Sequence, residues 1–197
     1  MGSFHLVVQH LIQLLIKFAQ SMLFFRIRTF YIIQSIAYQI FLTILRKIGP
    51  YDIVGVVGRR ATAKERMGNI KQGSDKKRAV RGKVVGIEKC DTVDECFFGG
   101  YTECFQRYPF SETLCEGWHM YAVERCLAAL KRGDNVFVVD ADLTHISGGK
   151  IDHAYNITFY KISKQYKSTV KCLATTCEDA PTAVGSGSYI ISRENFM

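Results

Sequence analysis

The stretch Gly117-Trp118-His119-Met120-Tyr121-Ala122-Val123-Glu124-Arg125-Cys126-Leu127-Ala128-Ala129-Leu130-Lys131-Arg132-Gly133 decides the fold class. Its apolar residues fall at Trp118, Tyr121, Ala122, Cys126, Leu127, Ala129 and Leu130, the three-and-four spacing of one helix face, and Gly133 supplies a stop. This predicts a helix of about four turns over 117–132. Directly after it, Asn135-Val136-Phe137-Val138-Val139 is a short β-branched run that reads as a buried strand. Helix, glycine, strand is the connection of an α/β sheet.

Working outward, Asp52 to Gly58 is a second buried strand, set off from the preceding apolar segment by Gly49-Pro50. The polar stretch to Gly82 reads as a loop. Lys83 to Ile87 and Val93 to Phe98 are further strand candidates, and Asp94-Glu95 with Gly99-Gly100 puts carboxylates and a glycine pair at a strand end, where open α/β sheets hold ligands. Ile151 to Tyr166 predicts a final helix. The expected units are an apolar helical segment over 1–48, an α/β domain over 49–167 and a tail over 168–197.

Composition narrows the function classes. The chain has 197 residues, 48% of them apolar, enough to bury a core. The formal charge of +8 is concentrated between Arg59 and Lys83, where ten Lys or Arg face only Glu65 and Asp75. No aromatic residue interleaves that run, so a nucleic-acid platform is not expected; a solvated loop, or contact with a diphosphate or anionic acceptor, fits it better. The seven cysteines form no Cys-x-x-Cys pair and are odd in number, which suits a reducing compartment and argues against a zinc ribbon.

From Phe4 to Ile48 no acidic residue occurs, and His5, Gln9, Gln13 and Lys17 recur every four residues. Two helices split near Arg26-Ile27-Arg28 are expected, packed on the domain, lying on a membrane surface or meeting a second chain. Thr29 to Leu45 contains Gln34 and Gln39 and falls short of the roughly 20 clean apolar residues of a span. A cytoplasmic chain is expected, either soluble or membrane-associated through residues 4–48.

Three blocks carry a resemblance. They are Phe110-Ser111-Glu112-Thr113-Leu114-Cys115-Glu116-Gly117-Trp118-His119-Met120-Tyr121, then Gly133, then Asp142-Leu143-Thr144-His145-Ile146-Ser147-Gly148-Gly149. In this order they are similar to a branch of the family 2 glycosyltransferases, and Asp52 to Gly58 and Val93-Asp94-Glu95 are similar to two upstream strands of the same enzymes. About half the chain is covered.

The resemblance implies a partial GT-A fold, a mixed Rossmann-like sheet with flanking helices. It also implies transfer of a sugar, with inversion, from a nucleotide-diphosphate sugar to a carbohydrate or other hydroxyl acceptor, with Mn²⁺ or Mg²⁺ neutralising the departing diphosphate. His145 falls where the family has a late metal-ligand histidine; its other reading is a turn histidine capping the glycine loop. Trp118 and His119, with Gly117 beside them and Gly100 at the sheet end, would receive substrate, Trp118 as a stacking face; as a lone Trp it reads equally as core.

Where many of these enzymes carry the catalytic Asp, this helix has Ala122. Glu124, Glu116 and Asp94 are the carboxylates left to accept the acceptor's proton, each also readable as a solvated or paired surface group. Asp140-Ala141-Asp142 has the letters of a metal-binding Asp-x-Asp but precedes the late histidine, so it reads as a turn. A second hypothesis follows: a truncated, non-catalytic remnant held to a membrane or partner.

Overall fold

The computed structural model describes residues 22–26, 30–31, 43–44, 46–73, 75, 77–78, 80, 82–117, 119–141, 143–145, 151–177 and 179–181; at 22–26, 30–31, 78 and 179–181 only the backbone is described. The architecture is mixed α/β. Strand β3 (Ile53–Gly55) is central in a five-stranded sheet, pairing antiparallel with β10 (Phe97–Tyr101) and parallel with β11 (Val136–Val139). Outside these lie β1 (Met22–Arg26) against β10 and β8 (Ile87–Lys89) against β11, both antiparallel.

Both faces of this sheet are buried, which explains its unbroken apolar runs. Successive residues point to opposite sides of a strand. Accordingly Val54 and Phe97 join a core with Ile44, Val56, Val139 and Leu143, while Ile53 and Phe98 join one with Ala122, Cys126, Ala129, Val136 and Val138. Helix α2 (Tyr121–Arg132) covers the second face. Its other side packs on α3 (His153–Gln165) through Met120, Val123, Leu127, Tyr155, Phe159 and Ile162. A short helix, α1 (Thr102–Arg107), follows β10.

The 117–132 helix begins later than its apolar spacing predicts. Met120 sits at φ 68°, a left-handed conformation that a non-glycine residue adopts at a cost of about 1–2 kcal/mol, and the helix starts after it. Gly133 ends the helix as expected, at φ 88° with its N–H directed to Ala129 and Leu130 carbonyls. Helix α3 is capped by Asp152, whose Oδ1 accepts from the Tyr155 N–H at 3.0 Å.

Other expectations need correction. The strand over 52–58 is two strands: after Gly55 the chain turns at Val56 and β4 (Val57–Arg59) joins β5 (Arg66–Gly68) and β9 (Thr92–Val93) in a separate sheet. Gly55 makes room for that arrangement, since a Cβ there would lie 2.6 Å from the Cβ of Val93. The expected loop to Gly82 holds β5, β6 (Lys71–Gln72) and β7 (Lys77–Arg78), and β6 pairs parallel with β12 (Thr144–His145). No strand occupies 83–86; β8 starts at Ile87.

Two segments of the expected N-terminal helices are strands. Met22–Arg26 lines up along β10, and β2 (Phe30–Tyr31) pairs with β12. Here the edge of a nonlocal sheet outweighs a local helical pattern, and aromatic residues suit it. The remaining helix expectation, over 4–21 and 32–42, lies outside the described residues. Among the described residues no helix is long and apolar enough to cross a membrane. At the other end, packing does not stop at Lys167: β13 (Cys172–Ala174) pairs with β14 (Asp179–Pro181), and Leu173 and Ala174 are buried.

Candidate functional site

The turn between β9 and β10 carries adjacent carboxylates, Asp94 and Glu95. The Asp94 N–H donates to the Val57 carbonyl at 3.0 Å, which fixes the turn just beyond the end of β3. Oδ1 of Asp94 accepts from the Cys96 N–H at 2.8 Å, an Asx turn, and Oδ2 accepts from the Thr176 hydroxyl.

Thr176 belongs to a segment clamped over this end of the sheet. Thr92 donates its hydroxyl to the Ala174 carbonyl at 2.6 Å, Arg59 donates to the Thr175 carbonyl at 3.0 Å, and the Tyr155 and Thr175 hydroxyls share a hydrogen bond of 3.0 Å.

Glu95 is the more unusual group. The residue is half-buried, but its Oε1 is shut off from solvent without a hydrogen-bond partner. Burial pushes its carboxyl up to about 8, and the neighbouring Asp94 charge pushes the same way, while N–H groups of Glu95 itself, Met120 and Ala122 favour the ionised form and only partly offset them. Glu95 thus faces the start of α2, beside the left-handed Met120.

The first residue of that helix, Tyr121, belongs to the same cluster: its phenol is held well above its ordinary range by burial and then by Glu95, Asp94 and Cys96. His145, half-buried on β12, is lowered by burial and partly restored by Asp94. Its imidazole is therefore neutral near pH 7 and carries a lone pair able to accept a proton. Asp94 thus lies within electrostatic reach of both His145 and Tyr121, with Glu95 beside it and Thr176 bonded to it.

The other candidates stand apart. Glu124 is 4% exposed, and Oε1 accepts from the Tyr166 hydroxyl at 2.5 Å in the α2–α3 core, with the phenol raised by burial and by this bond. Glu116 is exposed and paired with Lys161 at 2.6 Å. His119 packs edge-on to Tyr155, ring centroids 5.6 Å apart, and its Nε2 lies 3.2 Å from the Asp152 cap of α3.

Gly100 lies within β10, where a Cβ would come 2.8 Å from the Asp52 carbonyl oxygen, so close backbone packing accounts for this glycine. Gly117 is exposed with open space at its Cβ position. Asp140 accepts from the Asn69 amide, a bond between distant segments. Trp118, Asp142 and 146–150 lie outside the described residues.

As a divalent-cation site the arrangement is incomplete. His145 offers one nitrogen, both Asp94 oxygens already accept hydrogen bonds, and among the described residues no three His, Cys, Asp or Glu side chains group as a metal would need.

Compared with known proteins, the chain matches no family model, and no curated protein matches it. The likeness to family 2 glycosyltransferases is thus carried by its motif residues alone.

Proposed function

We propose that this chain is a GT-A type glycosyltransferase that moves a sugar from a nucleotide-diphosphate sugar to an acceptor hydroxyl. The observation that supports it best is the pair of carboxylates, Asp94 and Glu95, in the β9–β10 turn beside the start of α2, with Tyr121 and His145 within reach of the Asp94 charge. Glycosyl transfer needs a base for the acceptor hydroxyl as it attacks the anomeric carbon and the diphosphate departs. Of the three carboxylates first considered, Asp94 lies nearest that task in chemical terms, because Glu124 is committed to Tyr166 and Glu116 to Lys161. A neutral His145 in the field of Asp94 can take up the same proton. The expected Mn²⁺ or Mg²⁺ enters this proposal as a variable of the assay.

The full chain is to be incubated with a panel of nucleotide-diphosphate sugars in Mn²⁺, in Mg²⁺ and in chelator, and nucleoside diphosphate release measured. Release that falls about 100-fold in Asp94→Asn supports the reading. Absence of release and of calorimetric binding under every condition removes it. One observation favours the rival, a non-catalytic remnant: each Asp94 oxygen already accepts a structural hydrogen bond, from Cys96 and from Thr176. The remnant predicts that Asp94→Asn costs stability while no donor binds.

A further inference from the structure

One face of α2 presents a different chemistry from its first residue. Arg125 and Arg132 are seven residues apart, about 20° short of two full turns, so they share a helix face. With Arg107 from α1 they surround one ring: the guanidinium carbons lie 5.8 Å, 3.7 Å and 5.7 Å from the Tyr108 centroid. Arg107 also lies over Tyr51, at 5.3 Å, and donates to the Tyr51 hydroxyl at 2.9 Å. That bond uses the phenolic oxygen as acceptor and leaves its hydrogen for another partner.

Charge and hydrogen bonding are both left open here. Arg125 is 1% exposed, yet among the described residues no carboxylate pairs with it. Its Nη1 reaches the Pro109 carbonyl at 3.3 Å, its Nη2 the Cys104 sulfur at a long 3.9 Å, and its Nε has no partner. Arg132 pairs through Nε with Asp134 at 2.9 Å, but its buried Nη2 has no partner either. A buried guanidinium without an anion is costly, and a buried charged donor left unmet costs about 1–3 kcal/mol or more. Three guanidinium groups against one carboxylate leave an excess of two positive charges.

We propose that this cradle is a binding site for a dianionic phosphate group, with Arg107 and Arg132 as its ligands and Arg125 supplying charge from behind. The guanidinium fork matches phosphate oxygens in spacing and charge, and the Tyr51 hydroxyl adds a donor at the rim. Arg132, one of the two ligands, lies about 16 Å along α2 from Tyr121, and the proposal uses none of the carboxylate cluster, so it does not depend on the transferase reading.

The test is thermal stability and calorimetry of the full chain in inorganic phosphate, in glycerol phosphate and in sodium chloride at matched ionic strength. Phosphate is expected to raise Tm where chloride does not, and Arg107→Gln, a change at an exposed side chain, is expected to weaken phosphate binding about tenfold. Arg132→Gln should weaken it at least as much. Stabilisation by phosphate alone assigns the free ion, and stabilisation by both assigns the monoester as well; either supports the proposal. No phosphate-specific shift overturns it. So does a shift unchanged in Arg107→Gln, which would mean that the basic Arg59 to Lys83 region binds the ion instead.

Discussion

The start of helix α2 and its arginine face solve opposite electrostatic problems. At its start, Asp94 has both oxygens met by hydrogen bonds and Glu95 is pushed toward its neutral form, so negative charge is managed within the protein. On the arginine face, Arg125 and Arg132 keep buried N–H groups unmet, and among the described residues no acid pairs with Arg125. A carboxyl can shed its charge by taking a proton, whereas a guanidinium cannot. The difference teaches where outside help is needed: the unpartnered Glu95 carboxyl is relieved by a proton, and the arginine face is completed by an anion.

The contrast breaks most readily at Glu95. Its folded-state value of about 8 lies above the ordinary 4.5. The folded state therefore holds a proton that the unfolded state has released, and the stability contributed by Glu95 is full below pH 4.5 and is lost as pH rises through 8. Glu95→Gln, neutral at every pH, is expected to be more stable than the parent by about 4 kcal/mol at pH 8 and equal to it at pH 4, by denaturant unfolding across that range. A parallel pair of stability curves would place Glu95 in solvent.

Tyr166→Phe sharpens the comparison by leaving Glu124 buried without its one hydrogen-bond donor among the described residues. A loss of about 2 kcal/mol, roughly 4–8 °C in Tm, is expected. Gly100→Ala should cost about 1.5 kcal/mol, because the new methyl group meets the Asp52 backbone, and should leave donor KM unchanged. A raised KM at unaltered Tm would instead make Gly100 a substrate contact. The smallest effect belongs to Glu116→Gln: an exposed pair with Lys161 is worth at most about 0.5 kcal/mol, and transferase activity should persist.

Legibility in the sequence followed the range of the interactions. Helix α2 with its Gly133 stop, strand β11 and helix α3 with its Asp152 cap are local in origin, and periodicity with caps reveals them. Met22–Arg26 resembles a helix in composition, but its partner, β10, lies some seventy residues on, and only tertiary pairing makes it a strand.

The site divides the same way. Asp94 and His145 are visible as a strand-end acid and a motif histidine. Glu95 gave no signal beyond its adjacency to Asp94, because its character comes from burial against Met120 and Ala122. The arginine cradle was equally hidden, since Arg107, Arg125 and Arg132 look like ordinary helix-surface charges until α1 folds beside α2.

The central claim is that Asp94 and His145 share one site at the start of α2. It is tested most directly by following the His145 imidazole by NMR through a pH titration of the parent and of Asp94→Asn. The account predicts that His145 titrates below the ordinary histidine value and falls further when the Asp94 charge is removed. An ordinary value unmoved by Asp94→Asn would contradict it.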